Sequence, residues 1–209
     1  MVLTGTGRAF CSGQDLQDAG KIGSFDLERI LNDEYVPMIK AITDSPIPTI
    51  AAVNGAAAGA GANLALAADI VIATESASFI QAFTRIGLVP DAGGSYWLPR
   101  QIGLARSMGA MLLGDKITAR QAADWGMIYD CVPDAEFAAN VQARAAQLAA
   151  GPGVSYAGVK QMLRASFAND LDAQLALEAR LQGACGQTDD FREGVTAFLE
   201  KRPARFTGA

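Results

Sequence analysis

The chain contains no histidine. That absence removes the Ser-His-Asp and Cys-His triads. It removes the histidine-bearing zinc motifs such as HExxH and Cys2His2, and any imidazole base titrating near neutral pH. Acid–base chemistry is left to carboxylates, lysine, tyrosine, cysteine or backbone dipoles, and no metal site is expected. Cysteine is scarce too. Cys11, Cys131 and Cys185 are odd in number and far apart, which fits neither a CxxC knuckle nor a disulfide framework. They read as reduced thiols in a cytoplasmic protein. There is no cluster of lysine and arginine, and 17 basic against 22 acidic residues leave a net charge of −5. No nucleic-acid partner is expected from that balance. The first residues lack the basic-then-apolar pattern of a signal peptide. The longest apolar run, residues 49–68, is interrupted by Asn54, Asn63 and several glycines. Alanine and glycine bury little area, so this run is not expected to span a membrane.

What is present suits one domain, or one domain with a small appendage: 209 residues, half of them apolar. Residues 1–4 read as a buried strand ended by Gly5 and Gly7. A strand that starts the chain has no earlier partner in sequence. Residues 25–43 are periodic and helical, and SPIP at 45–48 stops them. Strands are expected at 49–53, 69–73 and 78–83, with a Gly/Ala-rich turn after Asn54 and a helix at about 60–68. After Pro90, helices are expected at 91–102, 105–113, 119–125, 135–150, 155–167, 171–183 and 192–201. Gly114 and Gly126 stand where helix ends favour positive φ. The pattern predicts an α/β fold with a largely parallel sheet, its front half sheet-bearing and its back half helical.

Three segments can carry chemistry. GRAFCSGQDL (7–16) is a tight strand-to-loop turn, readable as a surface connection or as a backbone N–H aimed at a ligand oxygen. The second, 54–63, joins a strand to a helix through small residues. They allow close approach to the backbone, and the helix start offers free N–H groups suited to a developing oxyanion. Tight packing of helix on sheet is the plainer reading. Gly59-Ala60-Gly61 also falls short of a dinucleotide GxGxxG, because Leu64 stands at the third glycine. The third, GLVPDAGGS (87–95), places Asp91 in a turn that opens a helix. Asp91 can be an N-cap there, or a base whose pKa is raised by apolar surroundings.

Together, GRAFCSGQDL, AAVNGAAAGAGANLALAADIVIA (51–73) and GLVPDAGGS resemble the crotonase, or enoyl-CoA hydratase/isomerase, superfamily. The resemblance extends to EGVTAFLEKR at 193–202. It implies a spiral of ββα turns over residues 1–140 and a helical oligomerisation region over 141–209. It also implies that the family's opening strand pair and first helix are missing before Met1, which would leave a sheet edge uncovered. The implied substrate is an acyl-CoA thioester, with no separate cofactor, and the implied assembly is a homotrimer or a dimer of trimers. By position, the backbone N–H groups of Gln14 and Ala60 correspond to the pair that holds the thioester oxygen. Ser12, Gly13, Asp15 and Leu16 correspond to the adenine-pocket segment. Gly59, Asn63, Phe83 and Leu88 fall in the substrate lining, and Phe198 and Lys201 resemble residues that reach CoA, often that of a neighbouring subunit.

The family's hydratases carry two glutamates where this chain has Asn63 and Phe83. Neither can move protons as a glutamate pair does, so hydration is disfavoured. Asp91 is left as the carboxylate to act. Around it, AFTRIGLVPDAGGSYWLPR (82–100) and ADWGMI (123–128) look like isomerases of phenylacetate breakdown, which rearrange a ring-epoxide CoA ester. The expectation is therefore an acyl-CoA isomerase of aromatic-acid or fatty-acid catabolism, with an apolar pocket formed near Phe83, Ile86, Leu88 and Trp97. Alternatives are a generic enoyl-CoA hydratase or isomerase, a catalytically weak acyl-CoA binder, and a dehalogenase-like enzyme with a nucleophilic aspartate. The last resembles members that also need a pocket histidine.

Overall fold

The computed structural model describes residues 1–15 and 26–208. These fall into two compact units, Met1–Ser45 with Thr49–Gln142, and Pro46–Pro48 with Ala143–Ala209.

The first unit carries eight strands: β1 Val2–Thr4, β2 Ala9–Cys11, β3 Ile50–Val53, β4 Ala56–Ala58, β5 Ile70–Thr74, β6 Ser78–Ile80, β7 Lys116–Thr118 and β8 Asp130–Val132. One four-stranded sheet runs β1-β3-β5-β8, the other β2-β4-β6-β7. All pairings are parallel except β6 with β7. The chain turns a corner from the first sheet to the second three times: after β1, after β3 and after β5. Asn54 locks two of these corners together. Its amide donates to the carbonyls of Gly5 (3.0 Å) and Gly7 (2.9 Å) and accepts from the Gly5 N–H (3.0 Å). Asp134 holds the third corner, accepting from the Thr74 hydroxyl and from the Ser76 N–H at 3.0 Å.

The helices of this unit are α1 Leu27–Ile30, α2 Val36–Thr43, α3 Ala60–Leu66, α4 Gly94–Leu113 and α5 Ala119–Asp124. A π-helical turn, Leu31–Tyr35, joins α1 to α2. β3 is buried at every position, which explains its unbroken apolar run. α3 is buried almost all round, and its small residues allow that. A Cβ on Gly61 would run into the Cys11 carbonyl, so the start of α3 lies against the end of β2.

Several expectations need correction. Strands β2, β4, β7 and β8 were not anticipated, and two of them lie in the half expected to be helical. Three residues are too few to show an alternation, and β4 is pure alanine. The strand expected over 78–83 stops at Ile80, and Ala82–Ile86 is a 3-10 turn. The first of the helices expected at 91–102 and 105–113 begins only at Gly94; the expected break between them is there, because α4 consists of two helical stretches that meet at a non-helical Gly103 (φ 75°, ψ 166°).

The second unit is built on α7 Gly153–Ala165, α8 Leu171–Cys185 and α9 Asp189–Glu200, while α6 Phe137–Ala149 spans the boundary between the units. Asp170 and Thr188 cap α8 and α9 through their side chains. The segment after α9 is tied back to it. Arg202 makes a bidentate pair with Glu193 (2.7 and 3.0 Å), and Asp190 accepts from the N–H groups of Thr207 (2.7 Å) and Gly208 (3.0 Å). No described helix is long and apolar enough to cross a membrane.

Candidate active site

The loop after β2 and the start of α3 meet at a cavity of about 280 Å³. Cys11, Gly13, Gln14, Ala60, Gly61 and Leu64 line one side of it, and Glu34, Tyr35 and Met38 the other. A Cβ on Gly13 would stand 3.5 Å from the Ala60 nitrogen and 3.1 Å from the Ala58 carbonyl oxygen. The two loops are thus in van der Waals contact. Gly59 precedes α3 at φ 54°, ψ −129°, a conformation that only glycine adopts easily. That turn directs the Gly59 N–H to the Ile80 carbonyl (2.9 Å) and leaves Ala60 at the first helical position. The N–H at that position has no intrahelical partner. Among the described residues neither the Gln14 nor the Ala60 N–H has a protein acceptor.

Asp91 sits on the turn before α4 and does not itself line this cavity. Its backbone carbonyl accepts from the Asn63 side-chain amide at 2.8 Å and from the Gly94 N–H at 2.9 Å. Its side chain does not cap α4; Gly93 is the N-cap. One carboxylate oxygen is buried without a hydrogen-bond partner. Burial pushes the Asp91 carboxyl above its ordinary value, opposed only by its own backbone N–H. The negative charge of Asp91 is felt at Tyr35 on the cavity wall, which relates the carboxylate to the cavity.

Asn63 is fully buried, one turn into α3. While its amide donates to Asp91, its carbonyl accepts from the Gln81 amide at 2.8 Å. A Cβ on Gly94 would overlap the Asn63 amide, so the start of α4 is packed directly on this residue. Asn63 is therefore a strut between α3, the turn after β6 and the Asp91 turn. Phe83 is buried with its ring edge 3.8 Å from where a Gly59 Cβ would stand, which supports the Gly59 turn. Leu88 is half-buried, its N–H bonded to the Phe83 carbonyl at 3.0 Å. Ile86, expected in an apolar pocket, is 56% exposed, because the 3-10 turn points it outward.

Ser12 and Asp15 are exposed on the loop after β2. Leu16 lies outside the described residues. Phe198 and Lys201 belong to the second unit, at the end of α9; Phe198 is 82% exposed, and Lys201 closes the helix at φ 54°. Among the described residues no group of His, Cys, Asp and Glu is placed to hold a metal ion.

Tyr35 and Glu34 were not singled out from sequence. Tyr35 donates its hydroxyl proton to the Gln14 side-chain oxygen. Burial first, and then the negative charges of Asp91 and Glu34, raise its pKa, so the phenol is a neutral donor. Glu34 is exposed at the cavity rim. Both lie on the π-helical turn, and such turns gather at functional sites, a signal that periodicity alone does not give.

Successive strands that alternate between two sheets, with a Gly/Ala turn opening a short helix against a facing loop, define a spiral α/β fold. The chain belongs to the enoyl-CoA hydratase/isomerase family, whose model matches residues 1–209. A Rhodobacter capsulatus protein named "Probable enoyl-CoA hydratase" is 62% identical across 100% of this chain and 80% of its own length. The 1,2-epoxyphenylacetyl-CoA isomerase of Escherichia coli K12 is 46% identical over the same shares. The crystal structure of an enoyl-CoA hydratase from Bacillus anthracis matches with a TM-score of 0.93 at 31% identity, covering 100% of this chain and 81% of that one. The chain is thus similar to members that hydrate and to members that isomerise.

Proposed function

We propose that this chain is an acyl-CoA isomerase in which Asp91 moves a proton while the N–H groups of Gln14 and Ala60 hold the thioester oxygen. The CoA ester is the substrate and no separate cofactor takes part. The carbonyl oxygen gains negative charge as a proton leaves carbon, and two preorganised donors lower the cost of that enolate. Asp91 removes the proton and returns it at another carbon, so the reaction has no net change in composition. For a ring-epoxide ester the same oxyanion site and carboxylate assist opening and rearrangement of the strained ring.

The observation that carries this reading is the state of Asp91. A carboxylate oxygen buried without a partner, on a group whose pKa is raised, suits a base better than a structural cap. Asn63 and Phe83, at the two positions where family hydratases place acids, are occupied in packing and cannot activate water. Hydration is the second reading. It is favoured by the exposed carboxylate of Glu34 at the rim, which could pair with Asp91, and by the name of the Rhodobacter relative. Mass-spectrometric analysis of products from epoxyphenylacetyl-CoA and from a 3-enoyl-CoA separates the two. Isomers of unchanged mass support isomerisation; a gain of one water supports hydration. Binding of both esters with conversion of neither would support the acyl-CoA binder instead.

The assembly proposed with this activity is a trimer or a dimer of trimers formed through the second unit. Its helices carry exposed apolar side chains, Phe198 and Leu199 (74% exposed) among them.

A further inference from the structure

We infer that Tyr35 is a positioning residue, holding the loop that presents the Gln14 N–H through a hydrogen bond to the Gln14 side chain. The inference rests on the reading that this N–H holds the thioester oxygen. Gln14 is exposed, and the Tyr35 hydroxyl is the partner of its side chain among the described residues. The peptide joining Gly13 and Gln14 follows a residue at φ 90°, which glycine adopts without strain and which leaves the peptide free to rotate. A tether on the Gln14 side chain limits that rotation. Tyr35 is well placed to supply it. It closes the π-helical turn Leu31–Tyr35, is half-buried against the cavity, and stays protonated beside Asp91 and Glu34. Oxyanion stabilisation depends on donors fixed before charge develops, and small misplacements are costly in rate.

Acetoacetyl-CoA provides a readout that needs no turnover, because its enolate absorbs in the near ultraviolet and forms on a site that holds the carbonyl oxygen. The full chain is titrated with it, and kcat and KM are measured on the ester that the protein isomerises. Tyr35→Phe is expected to lower both the enolate fraction and kcat about tenfold while leaving KM nearly unchanged. Gln14→Ala, a change on an exposed loop that tests the same bond from its other end, is expected to do the same. The double variant should be no worse than either single one, since both remove one interaction. Tyr129→Phe, an exposed tyrosine elsewhere in the first unit, should behave as the parent. Losses that add in the double variant would overturn the inference, because Tyr35 would then act independently of Gln14. Parental enolate and kcat in Tyr35→Phe would overturn it as well. If the unaltered chain forms no enolate, the oxyanion reading fails first and takes the inference with it.

Discussion

The two units reach stability by opposite means. In the first, Ala51, Val53, Ala57, Ala62 and Ala65 are completely buried, and the backbone of α3 approaches the end of β2 closely enough that no Cβ fits at Gly61. In the second, the described helices α7 to α9 bury little beyond Gly158, Leu177, Asp190 and Ala197. Large apolar side chains such as Leu163, Phe167 and Leu171 stay exposed, while ion pairs and caps hold the chain that follows α9. The contrast separates two uses of apolar sequence. Small residues in the first unit bring backbone dipoles to a fixed place. Large ones in the second unit, Leu163, Phe167 and Leu171 among them, are left at its surface.

The sharpest way to break the comparison is at Asp91. Asp91→Asn should lower turnover by about 10²- to 10⁴-fold and leave CoA-ester binding nearly intact, measured by steady-state kinetics beside calorimetric titration. The rate of the parent should rise with pH as Asp91 loses its proton. The limb should lie above that of an ordinary aspartate, because burial raises this carboxyl. Parental turnover in the variant would dismiss the proton-transfer role.

Close packing is tested next by Gly61→Ala, whose methyl would strike the Cys11 carbonyl. A loss of about 1–3 kcal/mol in chemical denaturation is expected, and a neutral result would show that the β2–α3 approach can relax. Asn63→Ala should cost about 1–3 kcal/mol by leaving the buried Gln81 amide without its acceptor and taking away one of the two donors to the Asp91 carbonyl. It should lower kcat more than it raises KM.

Changes in the second unit should leave the fold nearly alone. Leu163→Ser with Phe198→Ser should shift stability by only about 0.5 kcal/mol each as exposed positions. In analytical ultracentrifugation the pair should sediment as a monomer where the parent forms the proposed trimer; an unchanged sedimentation coefficient would locate assembly elsewhere. The smallest effect is expected at Glu193, held at about 2 by Arg202 first and then by the Arg205 N–H. A folded pKa below the unfolded one adds stability at neutral pH that is lost as pH falls from about 4.5 towards 2. Glu193→Gln should flatten that part of the acid-denaturation curve.

Much of this molecule was legible in its sequence where the signal is long or chemically loud. The buried run of β3, the SPIP stop, the positive-φ glycines at 114 and 126, and the Gly/Ala turn into α3 were all readable. Strands β2, β4, β7 and β8 were not, since each is three residues long and takes its identity from the neighbour it pairs with. The role of Asp91 as a cap was a local inference that failed, because the turn at Gly93 starts the helix two residues later. Tyr35 escaped notice because it is one aromatic in a periodic helix, and its meaning lies in Gln14, 21 residues away.

By itself the sequence determined which chemistry was available. The lack of histidine left acid–base chemistry to carboxylates, lysine, tyrosine, cysteine and backbone dipoles, and among these the family resemblance implied Asp91 and the N–H groups of Gln14 and Ala60. Only the tertiary structure decided what surrounds each of them. A side chain's identity is local, but its pKa, its partners and the direction of a neighbouring N–H are set by what surrounds it. Burial of Asp91, the clasp of Asn63 on its carbonyl and the hydrogen bond from Tyr35 to Gln14 all arise from segments far apart in sequence, brought into contact by glycine and alanine too small to keep them apart.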